Sequence, residues 1–183
     1  MDKQSIKVND DIELRCWKPK WAKELFALTD KNRKLLKPWL PWVPGVKEIK
    51  DSKKFILKCR KDYKKGDSLE LGIWYKGKLV GCAGLHHIDK TSRNTTVGYW
   101  LSSDYHGQGI VTRSVRTLLS YAFGELNLNR VEIVAGTTNA KSYAVAERLG
   151  FVKEGVKRET EFVDNRFLDY AIYSLLRREW KNN

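Results

Sequence analysis

The stretch Tyr99–Thr112, which reads YWLSSDYHGQGIVT, contains the junction that decides the fold. A strand-like segment ends near Leu101, a polar turn carries Gly107 and Gly109, and an amphipathic helix begins directly afterwards. Free N–H groups at a helix start, together with the positive end of the helix dipole, attract an anion, and glycine lets that anion approach the chain. The stretch therefore predicts a phosphate site, although two glycines are also compatible with an ordinary tight turn.

The segments around this junction predict an α/β protein. Residue alternation and helical spacing predict strands near 12–16, 69–75, 79–85, 95–101, 130–134, 151–160 and 169–176, and helices from 19, over 52–66, after 109 and over 140–149. The proline-rich segment 38–44 cannot continue a helix. We expect a mixed, mostly antiparallel twisted sheet of about six to seven strands with helices on both faces, in one domain over residues 1–183.

Composition narrows the class of protein and its location. The three cysteines, Cys16, Cys59 and Cys82, have no paired spacing and suggest neither a disulfide framework nor a metal site. No apolar run approaches the roughly 20 residues of a membrane span, and Met1–Ser5 lacks the apolar run of a signal peptide. We therefore expect a cytoplasmic protein without membrane association.

The formal net charge of +13 predicts attraction of anions. Nucleic acid, a phosphate-rich cofactor and an acidic protein are all candidates. The basic residues are scattered along the chain, without a compact basic tract or an RNA-binding signature. We therefore expect no direct nucleic-acid binding, while charge alone leaves the other two candidates open.

Several ordered segments resemble the GNAT superfamily of acetyltransferases. The segment from His106 to Val111 resembles the pyrophosphate motif Q/R-x-x-G-x-G/A of that family, and Gly98–Leu101 is similar to the strand along the pantetheine arm. Asn139–Ser142, followed by Glu147–Phe151, resembles the second cofactor motif of the family. Similarity to the RimJ/RimL branch, which acetylates protein N-termini, extends to Leu14-Arg15, Leu40–Trp42, Arg158–Glu161 and Asp169-Tyr170.

The resemblance implies acetyl-CoA as cofactor, held mainly by N–H groups of the loop. The cofactor-binding residues it implies are Trp100, Leu101, His106, Gly107, Gln108, Gly109, Ile110, Val111, Thr112 and Asn139. Two positions depart from the family motif: His106 replaces glutamine or arginine, and Val111 replaces glycine or alanine. Both departures bear on the strength of cofactor binding, because valine is bulky near the phosphates and histidine is shorter than arginine.

Acetyl transfer to an amine requires a neutral amine, stabilisation of an oxyanion and a proton for the departing thiolate. The resemblance implies Glu161 as general base, Ser142 as the donor of a proton to the sulfur, and Asn139 as a partner of the pantetheine amides. Backbone N–H groups near Trp100 and Leu101 would support the thioester oxygen. Many family members carry a tyrosine acid where this chain has Ala146, which favours the serine arrangement.

The acceptor site is predicted on the proline-rich loop, where Trp39 and Trp42 would form its walls or else pack in the core. Three functions follow: acetylation of a protein N-terminus, with an acidic ribosomal protein as one possible acceptor; acetylation of a small amine such as an aminoglycoside, polyamine or amino acid; or ribosome or nucleic-acid binding without catalysis. Most small amines are cationic and are repelled by a +13 chain. The oligomeric state, including a homo-oligomer, is left open.

Overall fold

The computed structural model describes residues 5–181, which contain an eight-stranded mixed sheet with helices on both faces. This architecture confirms the α/β prediction, with one strand more than expected. The strands are β1 Ser5–Lys7, β2 Ile12–Cys16, β3 Leu69–Tyr75, β4 Lys78–Asp89, β5 Asn94–Leu101, β6 Arg130–Gly136, β7 Val152–Val163 and β8 Arg166–Leu176. The helices are α1 Ala22–Lys31, α2 Arg33–Leu36, α3 Ile49–Lys65, α4 Ile110–Gly124 and α5 Ala140–Arg148.

The strand that the sequence did not predict is β1, which has only three residues. It pairs antiparallel with β2 through a tight turn in which the Asn9 side chain accepts hydrogen bonds from the N–H groups of Asp11 and Ile12. Three residues are too few to establish an alternating pattern, so its assignment depends on pairing with β2. The N-terminal residues 1–4, which enter the signal-peptide prediction, lie outside the described residues.

The strand order is β1-β2-β3-β4-β5-β6-β8-β7, and every neighbouring pair is antiparallel except β5 and β6. The pairing of these two parallel strands is limited to three residues of each, Asn94–Thr96 of β5 opposite Arg130–Glu132 of β6. Beyond that ladder, β5 remains paired with β4 as far as Leu101, and β6 remains paired with β8 as far as Gly136. The two strands therefore part in the middle of the sheet and leave a wedge-shaped cleft.

Side-chain alternation divides the core between the two faces of the sheet. Helices α4 and α5 cover one face, where Leu118, Ile133 and Val145 belong to a single buried cluster. Helices α1 and α3 cover β2–β5 on the other face, with Leu25 and Ile56 packed near Trp74. The cleft between β5 and β6 thus has a side that faces α4 and α5 and a side that faces the N-terminal helices.

Helix boundaries follow the predicted stop signals. Helix α3 ends at Lys65 and is followed by Gly66, and Gly150 follows the end of α5; both glycines have positive φ, at +78° and +79°. Helix α5 begins after Asn139, whose Oδ1 accepts a hydrogen bond from the N–H of Ser142 at 3.3 Å. Within residues 5–181, no helix is both long and apolar enough to cross a membrane.

Close packing of β4 against the end of β5 requires a glycine at position 81. A Cβ at Gly81 would lie 2.2 Å from the carbonyl oxygen of Trp100 and 3.0 Å from the Cα of Leu101. Because both atoms belong to the backbone of β5, the strand itself would have to move. We expect Gly81→Ala to lower the free energy of unfolding by about 2 kcal/mol, as overpacking does.

Urea unfolding followed by circular dichroism measures this loss. Gly155→Ala is the matched control, because Gly155 also lies in a strand but a Cβ there meets nothing within 4 Å. Equal stability of the two variants would contradict the close approach of β4 and β5.

Candidate active site

The phosphate loop, residues 106–112, presents a row of open backbone donors. Gly107 and Gly109 have φ values of +76° and +68°, and Gly109 is the residue before α4. The first helical hydrogen bond runs from the N–H of Arg113 to the oxygen of Gly109. The N–H groups from Gly107 to Thr112 find no acceptor in the described part of the chain. These donors, at the positive end of a 15-residue helix, suit the pyrophosphate of the expected cofactor.

Side chains around the loop are partly engaged. His106 Nε2 lies 3.1 Å from the carbonyl oxygen of Leu101, and its Nδ1 lies 3.5 Å from Nζ of Lys141 on α5. The carbonyl can only accept, so Nε2 carries the proton and Nδ1 is left to face Lys141. His106 therefore spans from the end of β5 to the start of α5. Val111 is half-buried and packs against the core.

A buried polar cluster fixes the chain just before the loop. Asn32, at the end of α1, donates from Nδ2 to Ser102 Oγ at 3.1 Å and accepts from the N–H of Ser103 at 3.0 Å. Asn32 is 2% exposed and Ser102 is fully buried. Lys31 also pairs with Asp104 at 2.5 Å. Residues some 70 positions apart in the sequence are thereby joined, and the loop is held to the N-terminal helices.

Ser142 and Tyr99 meet across the cleft. The Tyr99 hydroxyl, on β5, donates to the carbonyl oxygen of Ser142 at 2.7 Å, and Ser142 Oγ donates to the Tyr99 hydroxyl at 3.3 Å. Burial raises the pKa of Tyr99 to about 12, so this phenol stays protonated at neutral pH. The predicted acid Ser142 therefore has a hydroxyl partner, which the sequence did not reveal.

Gly136, the last residue of β6, lies between two predicted site residues. A Cβ there would lie 3.1 Å from the ring of Trp39 and 3.8 Å from Cβ of Asn139. The indole of Trp39 therefore rests on the backbone at the mouth of the cleft. Trp42 is 42% exposed and its ring centroid lies 6.4 Å from that of Trp100. Both predicted tryptophans thus line the cleft on the side that faces the N-terminal helices.

The carboxylate of Glu161 lies on the same side of the sheet. Glu161 is half-buried on β7, and its Oε2 accepts a hydrogen bond from the Tyr170 hydroxyl at 2.5 Å. Tyr170 is paired with Gly136 in the sheet, so Glu161 is tied to the same edge of the cleft as Trp39. Burial, and then the hydrogen bond to Glu161, raise the pKa of Tyr170 well above its ordinary value, which keeps this hydroxyl a donor.

A groove of about 340 Å³ lies beside these residues, between the proline-rich loop and the turn that joins β7 to β8. Its lining includes Lys37, Pro41 and Phe162. Phe162 and Phe167 form an edge-to-face pair at 5.1 Å and are 58% and 62% exposed. An exposed aromatic pair beside an open groove is typical of a binding surface.

Tyr99, Gly136 and Tyr170 are the site residues that sequence reasoning did not assign. Tyr99 and Tyr170 lie within segments that resemble the family, and the alternation of a strand places each on a definite face. Which residue each hydroxyl contacts depends on the neighbouring strands and helices, so the sequence contains no signal for these pairs.

Comparison with known proteins identifies the family to which this chain belongs. Residues 11–152 match the model of a family described as Acetyltransferase (GNAT) domain. The chain is 39% identical over 178 residues to the putative ribosomal N-acetyltransferase YdaF of Bacillus subtilis (strain 168), covering 97% of both proteins. It is 27% identical to the ribosomal-protein-serine acetyltransferase of Escherichia coli (strain K12), covering 93% of this chain and 96% of the relative.

A solved structure extends the comparison to bound ligands. The microcin C7 self-immunity acetyltransferase MccE, in complex with acetyl-CoA and AMP, superimposes with a TM-score of 0.90 at 34% identity. The match covers 95% of this chain and 97% of that one.

The open donors of the phosphate loop make Gly109 a sensitive position. Alanine at 109 would strain the backbone by about 1 kcal/mol, because φ is positive, and would place a methyl group beside the donors. We expect Gly109→Ala to raise the acetyl-CoA dissociation constant about tenfold, measured by calorimetry.

Gly150→Ala is the matched control, since Gly150 has φ of +79°, open space around it and a place in the loop after α5. The two variants should lose similar stability, and only the first should lose affinity. An unchanged dissociation constant for Gly109→Ala would remove the loop from the cofactor site.

Proposed function

The chain belongs to the GNAT acetyltransferase family and transfers acetyl groups from acetyl-CoA, and we propose that its acceptor is the N-terminal α-amino group of a protein. The observation that carries the acceptor proposal is the Glu161 carboxylate, held by Tyr170 at the edge of the cleft beside an open groove. Both relatives named above as ribosomal acetyltransferases support a ribosomal protein as the acceptor class. A ribosomal acceptor would also support a cytoplasmic location, which we propose for this enzyme.

The proposed cofactor position follows the open donors. The N–H groups from Gly107 to Thr112 hold the pyrophosphate, and the free edges of β5 and β6 receive the amide-bearing arm, with Asn139 at its side. Trp100 and Leu101 then lie beside the reactive end of the arm. We further propose that residues 1–183 form one acetyltransferase domain, because a single sheet runs from residue 5 to residue 176.

The proposed chemistry assigns the two proton transfers to Glu161 and Ser142, each of which has a tyrosine hydroxyl as a hydrogen-bond partner. Acetyl-CoA supplies an activated thioester. Glu161, oriented by the Tyr170 hydroxyl, accepts a proton from the attacking amine directly or through water. Ser142, backed by the protonated Tyr99 hydroxyl, donates a proton to the leaving sulfur. Ser142 then regains a proton from solvent, because the Tyr99 hydroxyl donates to the carbonyl oxygen of Ser142 and burial, which raises its pKa, keeps it protonated.

The pKa of the amine favours an N-terminal acceptor. A free α-amino group has a pKa near 7.8, whereas lysine has one near 10.4, so forming the neutral amine of lysine costs roughly 3.5 kcal/mol more at neutral pH. A carboxylate base suits the easier acceptor. The groove between the proline-rich loop and the β7–β8 turn offers an extended surface for the residues that follow the N-terminus of a peptide.

A second candidate acceptor is a small amine that carries a nucleotide. The MccE structure holds AMP together with acetyl-CoA at 34% identity to this chain. Rings of Trp39, Trp42 and Trp100 line the acceptor side here, and aromatic faces stack on nucleobases. The positive net charge attracts a phosphate-bearing amine, whereas it repels simple polyamines.

Release of thiol from acetyl-CoA, measured with a panel of acceptors, separates these functions. We expect turnover on peptides with a free N-terminus, faster for acidic than for basic peptides at low salt, with the difference falling as salt screens the charge. N-terminally blocked peptides that contain lysine are the control. Turnover only on nucleotide-bearing amines would replace the proposal with the second candidate, and equal rates on acidic and basic peptides would contradict the role of charge.

Glu161→Gln tests the base. We expect kcat to fall by about 10²-fold while the acetyl-CoA dissociation constant stays nearly unchanged, because the amide cannot accept a proton. Raising the pH should partly restore the rate, since solvent then supplies the neutral amine. Glu159→Gln is the matched control, because Glu159 lies on the same strand but is exposed.

Ser142→Ala distinguishes the acid from the base. It should slow turnover without recovery at high pH, because its proposed task is to protonate the leaving group. Nearly full kcat in Glu161→Gln, together with a loss of kcat in Glu159→Gln, would move the base to Glu159, the next candidate.

A further inference from the structure

Arg113 is a cation in an unexpected place. It lies one turn into α4, close to the positive end of the helix dipole, where a positive side chain is unfavourable. Instead of extending into solvent, its side chain folds back onto the phosphate loop. The Nη2 atom donates to the carbonyl oxygen of Gln108 at 2.8 Å, and Nη1 lies 3.1 Å from the place where a Cβ of residue 109 would stand.

No carboxylate neutralises this guanidinium within residues 5–181. Asp104, the acidic residue of the adjoining segment, is already paired with Lys31. Of the five N–H donors of the guanidinium, the contact with Gln108 uses one. An exposed cation with spare donors is therefore fixed beside the open N–H groups of Gly109 and Ile110.

We propose that Arg113 binds the pyrophosphate of acetyl-CoA directly. The helix start and the guanidinium then act on the same anion from two sides, and the bound anion offsets the unfavourable position of Arg113 on the helix. A planar guanidinium fits phosphate oxygens with two parallel hydrogen bonds. His106 has its Nε2 committed to Leu101, so Arg113 supplies the charge nearest to Gly109. The proposal rests on the phosphate-loop position of the cofactor given under Proposed function.

Arg116 provides a matched control on the same helix. It carries the same charge three residues further on, but its guanidinium lies over the ring of Trp180, at 5.9 Å. Arg113→Gln and Arg116→Gln therefore lower the net charge equally. Only the first removes a cation from the loop, whereas only the second removes an aromatic contact.

Calorimetry with coenzyme A and with dephospho-coenzyme A measures the effect. We expect Arg113→Gln to raise both dissociation constants about tenfold, or about 1.4 kcal/mol, and to reduce their dependence on salt. Arg113→Lys should keep the salt dependence and recover part of the affinity. The melting temperature of unliganded Arg113→Gln should stay level or rise, because an unfavourable charge leaves the helix start. Arg116→Gln should leave affinity unchanged.

The outcomes distinguish this proposal from the one on which it rests. Loss of affinity for coenzyme A alone, with dephospho-coenzyme A unaffected, would overturn the assignment to the pyrophosphate. Equal losses of affinity in Arg113→Gln and Arg116→Gln would mean that only the net charge of the protein matters. Unchanged affinity in Arg113→Gln would exclude the contact between Arg113 and the pyrophosphate. If Gly109→Ala also bound coenzyme A like the unaltered protein, the position of the phosphates at this loop would fail as well.

Discussion

The parting of β5 from β6 is the constraint on which the rest of the structure depends. The two strands are joined through only three residue pairs and then separate, although each remains paired on its outer side. Backbone donors and acceptors are consequently exposed in the interior of a sheet, where unpaired groups are costly unless another molecule satisfies them. A cofactor with an amide-bearing arm and a pyrophosphate head suits this opening, because in the proposed position its arm would lie along the strands and its head would reach the start of α4.

The separation of the strands is supported from both faces. Tyr99 reaches from β5 to the first turn of α5, and His106 joins the end of β5 to Lys141 on the same helix. On the opposite face, Trp39 rests on Gly136 and the Tyr170 hydroxyl holds Glu161. The face covered by α4 and α5 thus carries Ser142, the proposed acid, and the other face carries Glu161, the proposed base. In the proposed mechanism the acetyl donor and the amine approach from opposite sides of one sheet.

The charged side chains around the phosphate loop have specific partners, which the net charge of the chain does not reveal. Lys31, which neighbours the buried Asn32 cluster, neutralises Asp104, while Arg113 contacts the carbonyl oxygen of Gln108 and Lys141 lies near His106. Two cations therefore contact the phosphate loop, and the carboxylate of the segment before it is paired with a third. The two residues that depart from the family motif each have contacts in the structure. His106 lies between the end of β5 and Lys141 on α5, and Val111 packs against the core.

The sequence by itself determined the elements whose signals are local. The glycines of the phosphate loop, the Asn139 cap and the strand segments of β3–β5 depend on neighbouring residues in the sequence, and the structure has these features where the sequence predicted them. The short strand β1, the Asn32–Ser102 contact and the pairs Tyr99–Ser142 and Tyr170–Glu161 were decided only by tertiary structure. In each pair the partners belong to different elements, so their contact depends on strand order, on register and on the face to which each side chain points. Periodicity specifies a face within one element, but it carries no information about which element lies opposite.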